Sequence, residues 1–145
     1  MNRLPMLVSC CLLALVLLGS CSSSRTFYSP PNPELPFSNA VRVGDTLYVA
    51  GHLGLDEATQ RAPADPRAEA ELLLDAFGAT VARGGMSMED LVMVQVFCSD
   101  VALYDVFNSV YRERFAAEFP ARAFLGSGPL LFGCRFEMLG TAVAQ

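Results

Sequence analysis

Apolar residues follow three different patterns along the 145-residue chain. Residues 4–19 form one nearly unbroken apolar run, whereas residues 22–36 are rich in serine and proline and show no apolar period. From Phe37 onward, short β-rich runs alternate with stretches whose apolar residues recur at helical spacing. The first run is shorter than a comfortable membrane span of roughly 20 residues but suits the apolar region of a signal peptide. We therefore expect a signal peptide at 1–20, a linker at 21–36 and one folded domain at 37–145.

Turn and capping residues divide this domain into seven predicted elements. Gly44-Asp45 is a two-residue hairpin signal, and Asp65 with Pro66 indicates a helix N-cap followed by the first helical position. The predicted strands are 40–43, 46–51, 91–98, 121–126 and 134–144, and the predicted helices run from 66 to the glycine pair at 84–85 and from about 103 to 119. The order β-β-α-β-α-β-β indicates an α+β fold, a two-layer sandwich with two helices on one face of a mixed sheet.

Composition narrows the possible functions. Fifteen acidic residues outnumber ten basic ones, which are all arginine, for a net charge of −5 at pH 7. Nucleic-acid binding normally requires a basic face, so we expect no nucleic-acid partner. Cys98 and Cys134 lie in apolar, strand-like runs, where a free cysteine behaves as a small hydrophobic residue, and we predict that they are unpaired.

Several common catalytic and binding sites do not fit the sequence. His52 is the single histidine, and no G-x-S-x-G motif offers it a nucleophilic serine. One histidine and two distant cysteines do not have the spacing of zinc ligands. The GSGP stretch at 126–129 has no following Lys-Ser/Thr and no helix start, so it is predicted to be a turn and not a phosphate-binding loop.

Two charged residues interrupt apolar strands near the end of the chain. Arg122 lies in the stretch FPARAFLG and Glu137 in CRFEMLG. On neighbouring strands, these residues would form a structural ion pair. Alternatively, the arginine binds a substrate carboxylate while the glutamate orients a water molecule.

The end of the apolar run, Leu18-Gly19-Ser20-Cys21, resembles the lipobox of bacterial lipoproteins. The resemblance implies that Cys21 becomes the lipid-modified first residue of the mature chain, and Ser22 favours sorting to the outer membrane. We therefore expect an exported protein, anchored by lipid and facing the periplasm. The linker, at about 3.1 Å per residue, would hold the domain some 45 Å from the membrane. An ordinary secretory signal with an incidental cysteine is the alternative.

Four ordered segments of the domain resemble the RidA family, also called YjgF or L-PSP. They are ARGGMSMEDLVMVQVFCSD, YDVFNSVYRERF, FPAR and RFEMLGTAV, and the similarity extends from about Phe37 to Val143. The resemblance implies a chorismate-mutase-like α+β fold that assembles as a homotrimer with clefts between subunits. It also implies hydrolysis of reactive enamines and imines to 2-oxo acids and ammonia, without metal or cofactor.

The same resemblance assigns roles to individual residues. Arg122 matches the arginine that binds the substrate carboxylate, and Glu137 matches the glutamate that orients the attacking water. Asn108 matches the asparagine of the second helix, which is expected in the substrate cleft.

Phe37, Ala50 and Phe124 replace a tyrosine, a serine and a cysteine that many family members carry at these cleft positions. These substitutions leave open a non-catalytic module that binds or senses small carboxylates. A ribonuclease activity, also attributed to the family, is disfavoured by the acidic charge and the expected export.

Overall fold

The computed structural model describes residues 24–116 and 118–145, which form one six-stranded sheet with two α-helices. The strands are β1 (Arg25–Tyr28), β2 (Ala40–Val43), β3 (Thr46–Leu53), β4 (Leu91–Cys98), β5 (Ala121–Gly126) and β6 (Phe136–Val143). The helices are α1 (Pro66–Arg83), between β3 and β4, and α2 (Tyr104–Arg112), between β4 and β5. The strand order is β1-β2-β3-β6-β4-β5, and all neighbours are antiparallel except β4 and β5. The sheet is therefore mixed, as predicted.

Helix α1 begins and ends as the sequence indicates. The Asp65 side chain accepts a hydrogen bond from the backbone N–H of Arg67, and Pro66 occupies the first helical position. Gly84 caps the other end, and Gly85 follows with a φ of +77°, a conformation that favours glycine.

Both helices cover the same face of the sheet, and the core lies between the two layers. From α1, Leu73, Phe77 and Val81 are fully buried; from α2, Phe107 packs against Phe136 of β6 with ring centroids 5.0 Å apart. The two-layer α+β fold is confirmed. On the opposite, open face of the sheet, apolar side chains remain accessible: Tyr48, Phe97, Leu125, Leu139 and Val143.

A buried carboxylate joins the two layers. Glu69 of α1 is completely buried and accepts hydrogen bonds from the backbone N–H groups of Arg135 and Phe136 and from the Arg135 guanidinium. The same guanidinium donates to the carbonyls of Pro63 and Ala64. This network therefore fixes the start of β6 against α1 and against the loop that precedes α1.

Strand β1 was not predicted, because it lies in the serine- and proline-rich segment 22–36. Three of its four residues are exposed, so no apolar period marks it. Its antiparallel ladder with β2 nevertheless adds a sixth strand to the five expected.

The second helix is shorter than predicted and ends at Arg112, not at Phe119. Phe115 and Phe119 still pack against Tyr111, with ring centroids 4.7 and 6.2 Å away, but from a non-helical segment. Apolar spacing alone therefore extended the predicted helix too far.

Cys98 and Cys134 are free and buried, as predicted. The Cys98 thiol donates to the carbonyl of Asp100 at 3.0 Å. Burial raises the pKa of the Cys98 thiol and raises the pKa of the Cys134 thiol to about 11. The predicted signal peptide and Cys21 lie outside the described residues. Among the helices of the described part, none has the length and apolar character to cross a membrane.

Candidate active site

Arg122 lies on β5 and points toward the helical layer. Its strand partner on β4 is the fully buried Val94, and paired residues of parallel strands face the same side of a sheet. The Nη2 atom of Arg122 donates to Oδ1 of Asn108 at 2.6 Å. The guanidinium carbon lies 4.5 Å from the centroid of the Tyr111 ring, within cation–π distance. Helix α2 therefore holds the guanidinium by one amide and one aromatic ring.

Asn108 and Phe124 complete this arrangement, which we call the arginine half-site (Arg122, Asn108 and Phe124). Asn108 is buried, with 8% of its surface exposed, so its amide has little competition from water. Phe124 follows Arg122 on the same face of β5 and packs edge-on against Tyr104, with ring centroids 5.0 Å apart. Phe124, which replaces a cysteine of many members of the family that the chain resembles, thus forms an aromatic wall with Tyr104.

The half-site opens into a pocket of about 220 Å³ between α2 and the start of β5. Its lining residues are Tyr104, Asn108, Tyr111, Arg112, Phe119, Pro120 and Arg122. Two arginines and three aromatic rings suit a small, planar anion, because guanidinium groups donate to carboxylates and rings pack against the apolar remainder. The sequence prediction named Arg122 and Asn108 here but missed Tyr104, Arg112 and Phe119.

Tyr111 was predicted only as part of the apolar face of its helix. It lies one helical turn after Asn108, a spacing that could have placed it at the site. Its ring is almost fully buried, and its hydroxyl has no hydrogen-bond partner within the described part of the chain. Burial raises the pKa of Tyr111 to about 12, and the nearby Arg122 charge acts in the opposite direction. The hydroxyl is therefore protonated at neutral pH.

Glu137 lies on β6 and points to the open face of the sheet. Its neighbours Phe136 and Met138 are fully buried under the helices, so the alternating side chain faces away from them. Its carboxylate lies directly over Gly51 of β3: a methyl group at Gly51 would be 2.1 Å from Oε1. Ala50 precedes Gly51 at a register irregularity of β3. We call Glu137, Ala50 and Gly51 the glutamate half-site.

His52, next in the chain, serves this part of the fold structurally. Its Nδ1 donates to the carbonyl of Ala50 at 2.8 Å, because a carbonyl can only accept. Burial lowers the pKa of His52, so the ring is neutral and Nε2 accepts from the Thr80 hydroxyl at 2.8 Å. The histidine therefore anchors the irregular part of β3 against α1.

The structure does not bring Arg122 and Glu137 together within one chain. Strand β4 lies between β5 and β6, and the two side chains point to opposite faces of the sheet. From strand spacing and register, their Cα atoms are roughly 14 Å apart. The interpretation that they occupy neighbouring strands and form a structural ion pair is therefore wrong. Phe37, half exposed in the segment before β2, belongs to neither half-site as defined.

Metal-ligating side chains do not converge in this region. Across residues 24–116 and 118–145, no three His, Cys, Asp or Glu side chains form a group that could hold a metal ion.

Known proteins resemble this chain over most of its length. Residues 28–144 match the family described as Endoribonuclease L-PSP. A 2-iminobutanoate/2-iminopropanoate deaminase of Dermatophagoides farinae is 33% identical over 127 residues, covering 86% of this chain and 99% of that protein. The deaminase of Bos taurus with the same name is 34% identical and covers 74% of this chain and 80% of that protein.

Solved structures also resemble the fold. The yjgF gene product of E. coli has a TM-score of 0.76 and 28% identity, with 84% of this chain and all of that chain covered. A putative endoribonuclease of Thermotoga maritima has a TM-score of 0.74 and 29% identity over 81% of this chain and 93% of that one. The family match, the relatives and the shared fold agree: the chain belongs to the RidA (YjgF, L-PSP) family.

Proposed function

We propose that the protein hydrolyses reactive enamines and imines derived from amino acids, giving 2-oxo acids and ammonia. The observation that carries the proposal is the arginine half-site, in which a guanidinium lies at an aromatic pocket, held by Asn108 and Tyr111. Such a group binds the carboxylate that every amino-acid imine retains. Relatives named 2-iminobutanoate/2-iminopropanoate deaminase, at 33% and 34% identity, support the same reaction.

In this mechanism, Glu137 supplies the base. Its carboxylate accepts one proton of a water molecule while the water oxygen bonds to the imine carbon. Glu137 passes this proton to the imine nitrogen, and a tetrahedral carbinolamine forms. Glu137 then takes the proton of the carbinolamine hydroxyl and returns it to the amino nitrogen. The C–N bond of the carbinolamine then breaks, so ammonia leaves and the C=O bond of the 2-oxo acid remains. An enamine first takes a proton at carbon and becomes the imine.

The site requires two copies of the chain. Because Arg122 and Glu137 face opposite sides of one sheet, we propose that the arginine half-site of one subunit meets the glutamate half-site of its neighbour. The open sheet face, with exposed apolar residues including Tyr48 and Leu125, favours burial against another copy. A cyclic homotrimer would contain three such sites.

Lipid attachment at Cys21 is part of the proposal. The lipobox-like sequence Leu18-Gly19-Ser20-Cys21 supports it, as does Ser22 for an outer-membrane location facing the periplasm. Cys21→Ser should give an unprocessed or released protein. Membrane fractionation of a processed Cys21→Ser chain, identical to that of the parent, would contradict the anchor.

A carboxylate-binding module is the second candidate. Apolar residues at Phe37, Ala50 and Phe124 favour it, because each removes a polar group that many family members carry in the cleft. Such a module would bind 2-oxo acids through Arg122 but would not accelerate hydrolysis.

The deciding experiment generates an imine with an amino-acid oxidase and follows its decay. Arg122→Ala should raise KM and lower kcat/KM by about 30-fold or more, because it removes a charge-assisted contact. Glu137→Gln should mainly lower kcat, by roughly 10²–10⁴-fold. Absence of acceleration over buffer, with binding of 2-oxo acids that depends on Arg122, would identify the module instead.

Mixed assemblies test whether two subunits share the site. Arg122→Ala and Glu137→Gln chains, unfolded and refolded together in equal amounts, should recover activity at about one quarter of the sites of random cyclic trimers. If each site came from a single chain, the mixture would stay as inactive as its components.

A further inference from the structure

Two arginines line the pocket, and among the described residues of one chain no acidic residue lines it with them. Arg122 comes from β5, and Arg112 from the last position of α2. The chain as a whole carries five more acidic than basic residues, so a small pocket with two cations and no acid is locally opposite in charge. In the proposed assembly Glu137 of the partner subunit adds one negative charge, so the two arginines leave a net charge of about +1, which favours an anionic ligand.

Three other arginines have carboxylate partners, whereas Arg25, Arg42, Arg61 and Arg83 form no ion pair in the part of the chain that the structure describes. Arg67 pairs with Glu71 and Glu113, Arg114 pairs with Asp75, and Arg135 pairs with Glu69. Within the described residues, neither pocket arginine forms an ion pair. Their charges are therefore available to a ligand.

Local helix geometry explains how Arg112 reaches the pocket. Asn108 and Arg112 are four residues apart on α2, so their side chains lie on the same side of the helix. Asn108 and Tyr111 both contact the Arg122 guanidinium, so Arg112 extends from the same turn of α2 that holds it. The pocket volume is about 220 Å³, below the roughly 300–1,000 Å³ of sites for drug-sized ligands. Both arginines would therefore contact the same small ligand.

We infer that the pocket selects small dianions, with the α-carboxylate on Arg122 and a second carboxylate on Arg112. This inference rests on the proposed deaminase function and specifies its substrate class: imines of acidic amino acids, whose products are 2-oxo dicarboxylic acids. Arg112 is then a specificity-determining residue. Because Arg112 is exposed, its contribution should be moderate, roughly tenfold in the preference for acidic over neutral substrates.

The test measures a preference and not an absolute rate. Imines of glutamate and of alanine are generated by oxidases of matching specificity, and the ratio of their kcat/KM values is determined. Arg112→Gln should lower this ratio about tenfold, and Arg112→Glu should lower it further by adding repulsion. Arg114→Gln is the matched control, because Arg114 lies two residues further along, outside the pocket, paired with Asp75. It should leave the ratio unchanged.

Direct binding gives a second readout. Calorimetry with 2-oxoglutarate and 2-oxobutanoate should show tighter binding of the dianion, stronger dependence on salt and loss of the difference in Arg112→Gln. Hydrolysis of both imines at one rate, with no effect of Arg112→Gln on preference or binding, would overturn the inference while the deaminase proposal stands. Dianion binding that needs Arg112, without acceleration of any imine, would overturn the deaminase proposal and keep the ligand class.

Discussion

A methyl group at Gly51 should disable Glu137 without removing it. The Cβ of an alanine at this position would lie 2.1 Å from Oε1 of Glu137, 3.0 Å from Cδ and 3.3 Å from Cγ. Ordinary van der Waals contacts begin at about 3.4 Å. The carboxylate must therefore move by more than about 1 Å, and Gly51→Ala tests its position and not its chemistry.

The expected magnitude follows from that displacement. A 1 Å misplacement of a reacting group can cost about 10²-fold in rate, so kcat should fall by roughly that factor. KM should change little, because in the proposed mechanism the substrate carboxylate is bound by Arg122 and not by Glu137. Gly51 is exposed and the Glu137 carboxylate is the end of a flexible side chain, so the free energy of unfolding should change by less than about 0.5 kcal/mol.

The assay is the decay of an enzymatically generated imine, and two variants control it. At Gly128 an alanine Cβ would meet nothing within 4 Å, so Gly128→Ala should keep the parent kcat. In a Glu137→Gln background, Gly51→Ala should have almost no additional effect, because both changes act on one group. An unchanged kcat in Gly51→Ala, or losses that multiply in the double variant, would refute the role assigned to Glu137.

Three further predictions concern stability and reactivity. Tyr111→Phe removes a buried hydroxyl without a described partner, so the free energy of unfolding at pH 7 should be unchanged or higher. Burial raises the folded-state pKa of Tyr111 to about 12, so its protonation favours the folded state below pH 10, and this contribution is lost as the pH rises toward 12. Between pH 9 and 12, the free energy of unfolding should therefore decline less steeply in the variant. Glu69→Ala removes the carboxylate that accepts from the Arg135 guanidinium and from two backbone N–H groups, so the free energy of unfolding in urea should fall by about 3–5 kcal/mol. A fall below about 1 kcal/mol would contradict the network. Alkylation of Cys98 and Cys134, mapped by mass spectrometry, should be slow in the folded protein and rapid in denaturant, and equal rates in both states would contradict their burial.

Local chemistry made part of the fold predictable. The Asp65-Pro66 pair and the glycines after Arg83 define α1, and the buried run of β4 is apolar almost throughout. Strand β1 escaped prediction because its pairing with β2, and not an apolar face of its own, stabilises it. The end of α2 was misplaced because Phe115 packs against the core, and Phe119 against Phe115, without helical backbone.

The sequence named two of the residues that line the pocket, Arg122 and Asn108, but neither the others nor their arrangement. The structure places Arg122 and Asn108 in contact, and their roles toward a substrate stay predictions. Their separation from Glu137 follows from β6 inserting between β3 and β4, a long-range pairing that no local pattern in the sequence records. Arg112 gave no signal, because an exposed arginine at a helix end is ordinary until the pocket beside it is known.

The position of β1 changes how the domain would sit at a membrane. Only residues 22–24 separate Cys21 from this strand, so a lipid on Cys21 would be within about 14 Å of the sheet, not the 45 Å that a free linker allows. Strand β1 forms one edge of the sheet and β5, which carries Arg122, forms the other. Five strand spacings of about 4.8 Å place these edges roughly 24 Å apart. Strand β1 and the arginine pocket thus lie at opposite margins of the sheet. With the proposed anchor on Cys21, the pocket would be open to dissolved substrates while the β1 margin faced the lipid surface.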